Sequence, residues 1–240
     1  MSFIAQGMGV DQARLNAIAV NLANVRTPAY KRELVNGVDF EAQMHALERR
    51  ASGVDSAPTA SAFYSDLRLG GVQYTGRPLD VALTGENVFL ELSREGKTLY
   101  GRQGAMHTDS QGRLVSAQGD LVMGLGGEIR LVSSSPRIDH LGNVYDQGRF
   151  VDKLSMASFK EPEKMERLGG GVYLAEKERG STAQDGTFSV LQGYLEGSNV
   201  DPAKEMVGMI EVMRHFESLQ KTAQFVDEMT GRAVQKLGEF

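Results

Sequence analysis

The chain has no cysteine and no tryptophan, only six prolines in 240 residues, and no excess of positive charge. Each absence removes a class of function. Without cysteine there is no disulfide, no thiolate metal site and no cysteine nucleophile. Aromatic residues make up 7% of the chain, too few to suggest stacking platforms for bases or sugars. A formal net charge of −5 gives no electrostatic footprint for nucleic acid or anionic lipid. No run approaches the roughly 20 apolar residues that span a bilayer, so no membrane insertion is expected. The first basic residue is Arg14, and the apolar residues before it are periodic, not continuous. That is not the layout of a cleavable signal peptide. The protein is expected to stay inside or to leave by a route that reads something else. What is present suffices for a core: 41% of residues are hydrophobic and 24% charged.

The first segment, MSFIAQGMGVDQARLNAIAVNLANVRTPAYK, sets Ile4, Met8, Leu15, Ile18, Leu22 and Val25 in alternating steps of three and four. This predicts a helix with a narrow apolar seam, from about residue 3 to about residue 24. Asp11 occupies the one slot of that series that should be apolar. Asn24, Thr27 and Pro28 end the helix, because Pro28 disfavours helical geometry at Thr27 and has no N–H to donate. Residues 31–65 read as an irregular linker. It carries a short helical patch with Phe40, Met44 and Leu47 on one face, then the small-residue run ASGVDSAPTASA.

From about residue 66 glycine becomes frequent, and short β-favouring stretches alternate with turn signals such as TGEN, REGK and DSQG. Val81 and Leu83, and later Phe89 onward, alternate as strands do. Turns every 8–12 residues predict a compact antiparallel β domain over 66–199, a sandwich or a barrel. At Asp201-Pro202 the helical pattern returns, with Asp as N-cap, Pro at the first helical position and Glu205 near the positive end. Met209, Val212, Phe216, Leu219, Ala223, Val226, Thr230, Ala233 and Leu237 then run in three-four steps, and Met206, Ile210 and Met213 form a second apolar strip. The fold class expected is α+β. Residues 1–30 and 200–240 pair as a coiled-coil-like inner layer around the ends of a β domain. A 22-residue helix spans roughly 33 Å and cannot bury such a seam alone. A seam left exposed until partners arrive predicts terminal helices that order on assembly.

Chemistry is poorly provided for. His45, His107, His140 and His215 include no pair at helical metal spacing, and His107 lies near a second strong ligand type, Asp109. GLGGE (124–128) lacks the Lys-Ser/Thr of a phosphate loop and reads as a turn. The charge run from Lys160 to Arg167 reads as a solvated loop. No enzyme activity, metal or cofactor is expected.

Two stretches carry a resemblance. NLANVRTPAYKR (Asn21 to Arg32) is similar to the N-terminal signature of flagellar axial proteins, in which Asn-Leu-Ala-Asn is followed by Thr and an aromatic-basic pair. GYLEGSNVDPAKEMVGMIEVMRHFE (Gly193 to Glu217) resembles their C-terminal signature, and TGRPLDVALTGENVFLEL with YGRQG and DSQGRLVSAQGDLVMG resembles the rod-protein β domain. Length and the PLDVAL stretch point to the flagellar basal-body rod family of FlgF/FlgG type, and the short chain favours FlgF, a protein of the proximal rod. Three features depart from the family pattern: Val20 stands where Asn is usual, Ala29 where Gly is usual, and GENVF where an aromatic pair often follows the turn.

The resemblance implies a structural subunit exported by the flagellar type III apparatus without a cleaved signal. It joins copies of itself and other rod proteins in a helical axial tube that crosses the periplasmic space and transmits torque. The terminal helices would line the inner tube and the β domain face outward. The candidate assembly residues are then Ile4, Met8, Leu15, Ile18 and Leu22 on the first helix, and Asn21, Asn24 and Thr27 at its exit. Ser198 and Asn199 stand at the return, and Met206, Met209, Ile210, Met213, Phe216, Leu219 and Val226 on the last helix. For the turn residues, ordinary helix capping is the competing explanation. Two other functions compete: a soluble β-domain binding module dimerised by its helices, and a hydrolase using His107 and Asp109.

Overall fold

The computed structural model describes residues 2–35, 63–175, 180–184 and 186–237. The expected helical patch at Phe40, Met44 and Leu47, the small-residue run after it and His45 lie outside these residues. The chain divides into two compact units, residues 1–23, 33–65 and 201–240 in one, and residues 24–32 and 66–200 in the other.

The first unit is built on two helices, α1 (Ser2–Ala23) and α2 (Pro202–Leu237), with a small antiparallel pair, β1 (Glu33–Val35) and β2 (Phe63–Ser65), in which Leu34 faces Tyr64. α2 starts where the sequence says it should. The Asp201 side chain accepts from the Ala203 and Lys204 N–H groups at 3.0 and 3.3 Å, which satisfies donors that the first turn leaves open. Ile4, Met8, Leu15, Ile18 and Leu22 on α1, and Met209, Val212, Phe216, Leu219, Ala223 and Val226 on α2, are all partly buried while most of their neighbours are exposed. That stripe is the three-four seam of the sequence as far as Val226, beyond which Thr230 is exposed, and the two helices pack along it.

The second unit is antiparallel β throughout. Its largest sheet has ten strands and is organised around the longest, Val88–Arg94. That strand pairs with Lys97–Gly101 along one edge, and with Met156–Ser158 and Leu121–Gly124 along the other. A three-stranded sheet (Arg137–Ile138, Asn143–Asp146, Arg149–Lys153) and two short ribbons complete it. In one ribbon Val190–Gln192 pairs with Val81–Leu83, and in the other Tyr194–Glu196 pairs with Val72–Tyr74. Val81, Ala82 and Leu83 are all buried, so this strand is covered on both faces where alternation suggests one.

One core cluster of aliphatic residues, including Leu83, Leu90, Leu114, Val144, Leu154 and Val190, fills the β unit. A second is aromatic. Phe89 meets Phe159 and Tyr173 edge-on at 5.8 and 5.7 Å between ring centroids, and Tyr100 meets Phe159 at 4.8 Å. Such edge-to-face pairs add about 0.5–1.5 kcal/mol each beyond area burial.

Two hairpin turns share one device. Asp109 accepts from the Gln111 and Arg113 N–H groups at 2.8 and 2.9 Å, and Asp139 accepts from those of Leu141 and Asn143 at 3.0 and 2.9 Å. Each turn then needs a left-handed residue, supplied by Gly112 (φ 75°) and Gly142 (φ 83°). Burial alone would push these carboxyls up, and the converging N–H groups and the Arg113 and Asn143 side chains hold both below the ordinary aspartate value. The DSQG signal is therefore a turn, and Asp109 is occupied by it. The charge run after Lys160 is largely solvated as expected, with Lys160, Glu161, Glu163, Lys164 and Glu166 exposed, but it is not a loop. Pro162–Lys164 makes a 3₁₀ turn, Glu166–Gly169 a strand, and Arg167 stacks over the Tyr30 ring at 5.0 Å.

Candidate assembly interface

In the helical unit, four side-chain juxtapositions define how α1 and α2 meet. A Cβ on Gly7 would lie 3.1 Å from Leu219 Cδ1, and one on Gly208 would lie 3.7 Å from Ile18 Cδ1. Asp11 Oδ2 is 2.5 Å from His215 Nδ1, and Asn21 Nδ2 donates to Glu205 Oε2 at 3.3 Å. Low numbers on α1 meet high numbers on α2, so the helices are antiparallel. Asp11, which looks misplaced in an apolar series, is 1% exposed and matched by a donor 204 residues away.

Asn21 is equally committed within the chain. Its amide donates to the Glu33 carbonyl and accepts from the Glu33 N–H, both at 2.8 Å, as a neighbouring strand would. These bonds tie β1 to the end of α1. Outside the seam, Met206, Ile210 and Met213 are 53%, 53% and 48% exposed on α2. Met209, Phe216, Leu219 and Val226 belong to the seam instead.

In the β unit, the segments leaving α1 and returning to α2 are stitched together. Thr27 caps Asn24, with its N–H on the Asn24 carbonyl and its hydroxyl on Asn24 Oδ1, at 3.0 and 3.1 Å. Asn199 accepts from the Arg32 N–H at 2.7 Å, donates its own N–H to the Tyr30 carbonyl, and donates its amide to the Asp66 and Arg68 carbonyls. Ser198 acts locally, its hydroxyl accepting from the Val200 N–H at 3.2 Å. Thus Asn199 is brought together with the motif YKR, while Asn24, Thr27 and Ser198 make turn contacts.

Beneath this stitch lies a cluster that sequence reasoning missed. The Lys31 ammonium donates to Glu196 Oε1 at 2.6 Å and to the Arg68 carbonyl at 2.7 Å. Arg102 reaches Glu196 Oε2 at 2.9 Å and caps the Leu83, Gly85 and Val88 carbonyls at 2.7–2.9 Å. Gly70 N–H adds a further bond to Glu196 at 3.0 Å. All three charged side chains are at most 2% exposed. Burial would raise the Glu196 carboxyl, but Arg102 and Lys31 more than reverse this and hold it below the ordinary value. Burial pulls the Lys31 ammonium down despite Glu196.

Comparison with known proteins decides what these surfaces belong to. Residues 191–236 match the family described as the C-terminal part of the flagellar basal-body rod FlgEFG proteins. The chain is 34% identical to FlgF of Escherichia coli and 33% identical to FlgF of Salmonella typhimurium, in each case over 98% of this chain and 97% of the relative. It is 28% identical to FlgG of Agrobacterium fabrum over 95% of both chains. The chain belongs to the flagellar basal-body rod proteins.

It is a structural subunit of the FlgF/FlgG type. Among the described residues no group of three or more His, Cys, Asp or Glu side chains is placed to hold a metal, and no helix is long and apolar enough to cross a membrane.

Membership also gives meaning to Ala29, which stands where rod proteins usually carry Gly. Its φ is 53°, in the left-handed region, and it is 2% exposed, with its N–H on the Glu196 carbonyl at 2.8 Å. A side chain there costs about 1–2 kcal/mol, partly offset by the greater unfolded-state freedom of glycine. Ala29→Gly should therefore stabilise the chain by about 0.5–1 kcal/mol, read as a higher urea midpoint at unchanged m.

Proposed function

We propose that the chain is an FlgF-type subunit of the proximal rod, exported through the flagellar type III apparatus and assembled with copies of itself and other rod proteins into the periplasmic axial tube. The relatives at 33% and 34% identity are both FlgF proteins, which supports that assignment over FlgG. The observation that carries the assembly reading is the half-exposed strip Met206, Ile210 and Met213. It lies on a helix whose seam is already occupied by α1. An apolar strip left over after intrachain pairing is what a subunit offers its neighbours. The binding-module reading needs the helix seam for dimerisation, and that seam is used within the chain. Torque passes through such a tube only if the contacts between its helices hold.

The test replaces Met206, Ile210 and Met213 together by Ser in a strain lacking its own copy. We expect the helical content of the purified protein to hold and the number of complete basal bodies per cell to fall at least tenfold. Wild-type numbers of basal bodies would remove the strip from the assembly surface.

A further inference from the structure

We propose that the polar contacts Asp11–His215 and Asn21–Glu205, made by a buried carboxylate and a buried amide on α1, lock α1 and α2 into one antiparallel register within the single chain, a choice that the apolar seam cannot make. This lock belongs to the helix pair alone and holds whether or not the exposed strip carries assembly.

In all four juxtapositions of the pair, Gly7 with Leu219, Asp11 with His215, Ile18 with Gly208 and Asn21 with Glu205, the residue numbers add to 226. The helices are thus in strict register over the whole length between Gly7 and Asn21. The apolar seam by itself does not require this. α2 has 36 residues and α1 has 22, and the apolar steps of α2 repeat over about four heptads. Sliding α1 by seven residues would still lay apolar side chains on apolar side chains.

The polar residues break that degeneracy. Shifted one heptad toward the α2 C-terminus, Asp11 would stand opposite Thr222 and Asn21 opposite Val212. Shifted the other way, Asp11 would meet Gly208 and His215 would meet Ile4. Both slips separate Asp11, which is 1% exposed, from His215. A carboxylate that only accepts hydrogen bonds then faces either Gly208, which has no side chain, or Thr222, whose hydroxyl already donates to the Ser218 carbonyl. Glu205 and Asn21, also 1% exposed, part at the same time. The glycines reinforce the choice sterically, since Leu219 and Ile18 each lie over a residue with no side chain. A polar residue at a seam position specifying register is an attested device in helix pairs.

The absence of cysteine makes the test direct. Spin labels at Ala5→Cys and Lys204→Cys, both exposed positions, sit seventeen residues apart in this register, about 25 Å along the axis. In the labelled full-length chain, pulsed electron resonance should give one narrow distance. Replacing Asp11, His215, Asn21 and Glu205 by Leu should add a second population displaced by about 10 Å, one heptad. Asp11→Leu with His215→Leu alone should show the same second distance at lower amplitude, which covers the case in which the fourfold variant does not fold. Asp11→Asn, which can still bond His215, should keep the single distance. An unchanged single distance in both Leu variants would mean that the chain connections set the register, and would overturn the proposal. So would a parent with no defined distance at all.

Discussion

Glu196→Gln should lower the unfolding free energy by about 3–5 kcal/mol. The carboxylate is the shared acceptor for the Lys31 ammonium and the Arg102 guanidinium, at 2.6 and 2.9 Å. An amide of the same shape removes the one carboxylate that the two buried cations share, and it turns one donor toward other donors. Arg102 keeps its three carbonyl acceptors, so Lys31 takes most of the loss. A surface pair such as Lys164–Glu161 would cost at most about 1 kcal/mol when broken, which gives the control. The check is a urea series on the full chain followed by far-ultraviolet circular dichroism, since there is no tryptophan to report.

The same group sets an acid limb. The Glu196 carboxyl is held below its unfolded value, so the native state binds its proton less readily than the unfolded chain does. Its contribution is complete above the unfolded value of about 4.3 and is lost as pH falls through the lower, native value. Asp109 and Asp139, also depressed, add to that limb. Stability of the parent should therefore fall below about pH 4, and the Gln variant should show a shallower fall. A variant with unchanged acid sensitivity would mean that Glu196 is not ionised against its two cations.

The helices were legible because their signals are local. Thr-Pro after an apolar series stops α1, and Asp201 before Pro202 starts α2. The seam follows from spacing that any helix of those residues must present. The antiparallel β class was legible for the same reason, since Asp and Gly at fixed offsets build turns from their own backbone. What stayed hidden depends on partners far along the chain. Asp11 reads as a fault in the series until His215 is set beside it, and nothing in residues 1–25 points to a donor at 215. Lys31 and Glu196 sit inside the two signature motifs, yet their charge suggests solvent. Only folding brings them together with Arg102 in a place that strands seal. The one available signal was the single charge of GYLEG, Glu196 between Leu195 and Gly197, whereas Lys31 is followed directly by Arg32 and Glu33 and nothing local sets it apart. Strand 81–83 shows another limit, because alternation cannot reveal that the face carrying Ala82 is covered as well.

Deleting residues 206–240 should abolish rod assembly completely while sparing the β unit. Without α2 beyond Glu205, the α1 residues Ile4, Met8, Leu15, Ile18 and Leu22 lose their packing partners, and Asp11 loses His215. Fixing a residue's backbone costs about 1–2 kcal/mol, and each buried aliphatic side chain returns about 1.5–3 kcal/mol only when something covers it. An isolated helix of this length is then marginal, and the inner layer has neither partner. Both core clusters of the β unit, in contrast, are drawn entirely from residues between Leu67 and Val190, and so keep every member. The deletion is made at the C-terminal side so that α1 remains, and secretion of the truncated chain is measured alongside. We expect a non-motile strain without basal-body rods, in which the purified fragment still unfolds cooperatively in urea. Rods that incorporate the truncated chain would mean that α1 alone finds its place among its neighbours, and the paired helices would no longer be the assembly unit.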